Sequence, residues 1–112
     1  MEWTVVAVDG GVTLVELIGR MDVPGALKAD PAFADLAKEH TYLIVDLTKL
    51  DFLASLGIRT LVTTSKTLRA KNGSLVLFSP QPNIEQVLHS SGIDTIIPVV
   101  KDRALAEAEV LA

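Results

Sequence analysis

Between Tyr42 and Phe78 a strand pattern, a helix pattern and a second strand pattern follow one another, and that succession restricts the fold more than any other feature. Tyr42-Leu43-Ile44-Val45-Asp46-Leu47 places apolar residues at consecutive positions. A strand that is apolar on both faces suits the middle of a parallel sheet. From Ser55 to Lys71 the apolar residues Ile58, Leu61, Val62 and Leu68 recur at helical spacing. Asn72-Gly73 stops that helix, with Arg69 and Lys71 near its negative end. Ser74 to Phe78 reads as the next strand. Strands joined through a helix run parallel, with a right-handed crossover.

The flanking segments extend this unit. Trp3 to Val8 alternates and is rich in β-branched residues, Asp9-Gly10-Gly11 supplies a turn, and Val12 to Ile18 is a second strand. Asp-Gly and Gly-Gly favour tight hairpins, so these two strands pair antiparallel. Gly19-Arg20-Met21-Asp22 ends the second strand. Val23 to Lys28 starts a helix, with Pro24 in its first turn. Pro31 interrupts the pattern, and Asp30-Pro31 is itself a good N-cap and first helical residue. The segment therefore reads as one broken helix, or as a short turn and then a helix, ending near His40. After Pro80 and Pro82, the residues Ile84, Val87, Leu88 and Ser91 mark a third helix with Gly92 as its stop. Thr95 to Val99 is a short final strand, and Asp102 caps a last helix through about Leu111. The alternation after the hairpin predicts an α/β fold. It has a mixed, mostly parallel sheet opened by an antiparallel hairpin, and about four helices.

A chain of 112 residues suits a single domain, 1–112, with one modest core. The formal charge of -4 and the lack of a basic cluster argue against nucleic acid. With no cysteine there is no disulfide framework and no thiolate metal site. The start, Met1-Glu2-Trp3-Thr4, lacks the basic-then-apolar order of a signal peptide. No apolar run approaches the roughly 18 residues needed to cross a bilayer. The expectation is a cytoplasmic domain with no membrane insertion.

Catalytic constellations are missing. His40 and His89 fall at helix ends or surfaces without metal-ligand spacing and read as solvated side chains. There is no Gly-x-Ser-x-Gly elbow and no phosphate-binding glycine loop, Gly10-Gly11 being a hairpin turn. Asp46 and Asp51 flank the Ser55 region and could form a carboxylate pair; strand-end and turn roles fit them better. The chain reads as a non-enzyme without a cofactor.

What remains is Phe52-Leu53-Ala54-Ser55-Leu56-Gly57-Ile58-Arg59-Thr60-Leu61. Ser55 sits where a strand hands over to a helix. Unpaired backbone N–H groups point outward there and favour negative charge, so a phosphate on Ser55 would be stabilised. Serine is equally an ordinary N-cap. Ile58 and Leu61 read as core. Leu56 precedes the regular core spacing and is open to either burial or exposure. Gly57 weakens a first turn relative to alanine, and its presence suggests close approach of another chain. Arg59 is a surface charge or a partner contact, and Asp22 a partner contact or the cap of the following helix.

Together the opening hairpin, Gly19-Arg20-Met21-Asp22, Val45-Asp46-Leu47, Phe52 to Ile58 and Val87-Leu88-His89-Ser90-Ser91-Gly92-Ile93 make the chain resemble STAS domains. The resemblance covers essentially the whole chain and is nearest to the bacterial anti-sigma factor antagonists. It implies the STAS fold, and a phosphorylatable serine at the start of the second long helix, matched by Ser55 and followed by the matching Gly57. Ala54 stands where the family has an aspartate and Leu56 where it has a second hydroxyl residue. The implied function is binding an anti-sigma factor serine kinase, which brings its own ATP and Mg, with phosphorylation at Ser55 as the off-switch. Asp22, Ala54, Ser55, Leu56, Gly57 and Arg59 are the implied contact residues. The alternative is an accessory or scaffold STAS subunit, docked on a transporter ATPase or in a signalling assembly and not phosphorylated.

Overall fold

A computed structural model describes residues 1–112, the side chain of Asp9 excepted. The strands are β1 (Glu2–Val8), β2 (Val12–Met21), β3 (Tyr42–Leu53), β4 (Ser74–Phe78) and β5 (Val99–Val100). The helices are α1 (Val23–Glu39), α2 (Ser55–Arg69), α3 (Pro82–Ser90) and α4 (Arg103–Leu111). The sheet has the order β1-β2-β3-β4-β5, with β1 antiparallel to β2 and every other pair parallel. The hairpin turns at Gly10 and Gly11, with φ of 81° and 78°. Those left-handed values are cheap only without a Cβ.

The sheet separates two apolar layers. Val15, Leu17, Leu43, Val45, Leu47, Leu75 and Leu77 pack on α1, α2 and α3. On the other face Val12, Leu14, Ile44 and Val76 meet Ala106 and Val110 of α4. β3 is thus buried on both faces, which is why its first residues are uninterruptedly apolar. Asp102 begins α4 by accepting bonds from the N–H groups of Ala104 and Leu105 at 2.7 and 3.2 Å.

Four expectations need correction. First, α1 is one continuous helix with Pro31 inside it, and Asp30 is not a cap. A proline there forfeits one backbone bond, but Ala26, Ala29, Phe33, Leu36 and Ala37 bury a common face on both sides of it. Second, β3 continues six residues past Leu47, to Leu53. The β2–β3 register shifts twice, between Glu16 and Ile18 and between Gly19 and Arg20. Each shift gives β3 an extra residue, so its inward positions after Leu47 fall at Leu50 and Leu53, three apart. Third, β2 continues to Met21. Fourth, Ile93–Thr95 is a 3-10 turn after Gly92, whose φ is 77°, and only Val99–Val100 pairs with β4.

Candidate functional site

Parallel strands bring their carboxyl ends to one edge of the sheet, and the helices that follow begin there. Met21 and Leu53 are paired at the ends of β2 and β3. One residue further on, the Ala54 N–H donates to the Met21 carbonyl at 2.9 Å. α1 and α2 therefore start side by side.

The two starts differ chemically. Asp22 caps α1, its Oδ1 accepting from the Gly25 N–H at 2.8 Å. The N-cap of α2 is Ala54, which has no capping side chain, and the first backbone bond of the helix runs from the Ile58 N–H to the Ala54 carbonyl at 3.1 Å. Ser55 is thus the first helical residue and not the cap. Its own N–H and those of Leu56 and Gly57 lie in the uncapped first turn, where the helix dipole is positive.

Ser55 and Arg59 are exposed, while Leu56 is half-buried against the main core. Gly57 is buried. A Cβ on it would lie 2.8 Å from Leu53 Cδ1 and 2.9 Å from Met21 Cγ. Packing within the chain accounts for this glycine without any second chain.

At the same end of the sheet lie residues that sequence reasoning passed over. Arg20 and Phe52 are paired across β2 and β3, and the guanidinium sits 4.5 Å from the ring centroid. Phe52 remains 39% exposed, and on α1 Val23 and Leu27 are 53% and 63% exposed. The available signal was the double shift of β3, which turns Phe52 outward, but it is not visible in one sequence. Between α1 and α2 runs a groove of about 400 Å³, lined among others by Leu27, Asp30, Leu56, Arg59 and Thr60. Inside it Thr60 Oγ1 donates to Asp30 Oδ1 at 2.9 Å and approaches the Leu56 carbonyl at 3.2 Å.

The other polar candidates have separate jobs. Asp46 accepts from the Thr48 N–H at 2.9 Å, and Asp51 from Gln81 Nε2 at 3.1 Å. They are not a carboxylate pair. Asn83 Nδ2 donates to the Asp51 carbonyl at 2.9 Å, tying the start of α3 to β3. His40 is half-buried with Nδ1 3.1 Å from Thr13 Oγ1, so it is not simply solvated. His89 is exposed and pairs with Asp94 at 2.8 Å. Among the described residues no group of three His, Cys, Asp or Glu side chains is placed to hold a metal, and no helix is long and apolar enough to cross a membrane.

A mixed five-stranded sheet with its crossover helices on one face, a fourth helix on the other, and two adjoining helix starts defines an α/β domain of one particular architecture. The sequence matches the STAS domain family over residues 4–106, and the chain belongs to that family. BtrV of Bordetella bronchiseptica, which carries an assignment as an anti-sigma factor antagonist, is 35% identical over 75 residues. That match covers 67% of this chain and 65% of BtrV, just under two thirds of its length. An anti-sigma factor antagonist from Mycobacterium paratuberculosis superposes with a TM-score of 0.89 at 24% identity, over 99% of this chain and 94% of that one. The phosphorylated form of SpoIIAA, a Bacillus cell fate determinant, superposes with a TM-score of 0.72 at 17% identity, covering 96% and 98% of the two chains. The two structural likenesses carry the fold.

Proposed function

We propose that this chain is an anti-sigma factor antagonist. It binds an anti-sigma factor that is also a serine kinase, and phosphorylation of Ser55 ends the binding. The observation that carries this reading is the position of Ser55, exposed at the uncapped start of α2 and three residues after the exposed Phe52 that nears the end of β3. The relatives' names and the existence of a phosphorylated SpoIIAA support it further.

Unmodified Ser55 adds no charge to this end of the domain, where the exposed apolar surface of Phe52, Val23 and Leu27 is suited to burial against a partner. The kinase supplies ATP and Mg; the γ-phosphoryl group passes to Ser55 Oγ, whose proton leaves as ADP is released. The phosphoserine carries about -1.5 to -2 charge at pH 7. The uncapped N–H groups of α2 and its dipole stabilise that charge on the free domain. In the interface it must be desolvated, so the same charge favours dissociation. Asp22, Ala54, Leu56 and Arg59 form the surrounding contact surface, and Gly57 supports it from beneath. The domain works without a catalytic group of its own, in the cytoplasm.

Ala54 and Leu56 favour a second reading, an accessory or scaffold subunit that is never phosphorylated. Affinity capture with mass spectrometry separates the two, since a kinase-type ATPase supports the first and a transporter subunit the second. Calorimetric titration of the captured kinase should then give wild-type affinity for Ser55→Ala and a large loss for Ser55→Asp. Equal affinity for all three forms would leave Ser55 without a switching role.

A further inference from the structure

The two edges of the sheet are built differently. β5 offers only Val99 and Val100, with Pro98, which has no N–H, just before them. A short edge next to a proline gives an incoming strand almost nothing to pair with. β1 offers seven residues, Glu2–Val8, every one paired to β2 on one side and open on the other. It contains no lysine or proline, and Glu2, at its end, is its only charged residue. Trp3 and Val8 at its two ends are partly buried against the two cores, but its middle is open: Val5, across from Val15, is 47% exposed, and Val6, across from Leu14, is 45% exposed. The charges near this edge, Glu2 and the Lys28 ammonium that lies over Trp3 and donates to the Met1 carbonyl at 3.2 Å, are confined to its first residues, and the middle of the strand carries no protecting charge or proline.

We propose that β1 pairs antiparallel with β1 of a second copy of this chain, joining two five-stranded sheets into one. The unpaired backbone fixes the occupant as an extended strand, and the sequence of β1 suits itself. With Val5 on the two-fold axis, Thr4 faces Val6 of the second copy, Trp3 faces Ala7 and Glu2 faces Val8. β-branched residues then oppose one another at the centre, a favourable cross-strand arrangement. The two Glu2 carboxylates sit six residues apart along the strands, roughly 20 Å at the rise of a β-strand, beyond the screening length of about 8–10 Å in ordinary salt. An isologous contact of this kind closes on itself. The brevity of β5 leaves no second edge for growth, so assembly stops at two. Ser55 follows β3, two strands in from this edge, so both copies keep their helix starts free.

Sedimentation velocity on the full chain over a concentration series tests this, with thermal melts as the check on folding. Wild type should approach double the monomer mass as concentration rises. Thr4→Lys/Val6→Lys puts two like-charged pairs across the axis and should weaken the dimer by about tenfold or more, while the melting temperature at dilutions where wild type is monomeric changes little. Thr4→Lys/Val6→Glu puts opposite charges at the same positions and should keep it. Because the chain has no cysteine, Val5→Cys should cross-link to its own copy on oxidation, whereas Leu105→Cys, on the exposed side of α4, should not. A monomer at every concentration would leave this edge to some other chain and overturn the proposal, as would a dimer indifferent to both charge variants.

Discussion

Arg20 lies over the ring of Phe52, its guanidinium 4.5 Å from the ring centroid, and the pair sits near the end of the sheet where α1 and α2 begin. At an exposed site such a contact contributes only about 0.5–1 kcal/mol to stability. Aromatic and arginine side chains are nevertheless the groups that most often dominate protein interfaces. Phe52→Ala should therefore shift the melting curve little while reducing affinity for the proposed anti-sigma partner by more than about tenfold, a loss beyond about 1.4 kcal/mol. Calorimetric titration beside a thermal melt checks both halves. Unchanged affinity would remove Phe52 from the contact surface.

The difference between the two helix starts predicts opposite responses to substitution. Asp22→Ala removes the cap of α1 and should cost about 1 kcal/mol. Ala54→Asp supplies the cap that α2 lacks and should add about 1 kcal/mol, raising the melting temperature by roughly 4 °C. Ser55→Ala, at the first helical position, should leave stability nearly unchanged. Urea titrations of the three variants give the comparison; destabilisation by Ser55→Ala equal to that of Asp22→Ala would contradict the assignment of the caps.

Gly57→Ala should lower stability even though alanine is the better helix former. The new methyl meets Leu53 and Met21 at 2.8 to 3.0 Å, and both residues are buried. Overpacking of this sort costs about 1–3 kcal/mol, against a propensity gain of at most about 1 kcal/mol. The net fall should be about 1–2 kcal/mol, read as a lower urea midpoint at constant slope. Gly57→Ala combined with Met21→Ala should recover part of the loss attributable to the clash, relative to Met21→Ala alone. A more stable single variant would refute the packing role of this glycine.

The hydrogen bond between Thr60 and Asp30 links α1 to α2 asymmetrically. Thr60 is buried and has the Leu56 carbonyl as a second acceptor at 3.2 Å, whereas Asp30 is exposed. Asp30→Ala should therefore cost no more than about 1 kcal/mol, because Thr60 falls back on its own helix and no buried donor is stranded. A loss above about 2 kcal/mol, measured by chemical denaturation, would mean that the Leu56 carbonyl does not take over.

Periodicity made the succession of strands and helices along the chain and the helix count legible, whereas the order of the strands across the sheet came only from the structure. The consecutive apolar residues of β3 announced a doubly buried strand, and Asn72-Gly73, Gly92 and Asp102 marked helix boundaries from their own chemistry. The second half of β3 was hidden because two register shifts break the alternation that reveals a strand. The continuity of α1 was hidden because Pro31 is a local signal, whereas the face that overrides it is a tertiary one. At the site, Ser55 could be placed to within one residue of the helix start. That Ala54 occupies the cap depends on where β3 ends, which the shifted register obscured. The reason for Gly57 lay in Met21, distant in sequence and adjacent only once the strands are paired.

The backbone bond from Ala54 to Met21 and the bare α-carbon of Gly57 against Met21 and Leu53 give the first turn of α2 a rigid seat. A helix held so closely has little room to pivot when a charge arrives at its tip. Modification there would alter what an approaching molecule meets while leaving the interior as it was. Taking the mark away would restore the original surface at once, with no slow structural recovery to set the tempo of the signal.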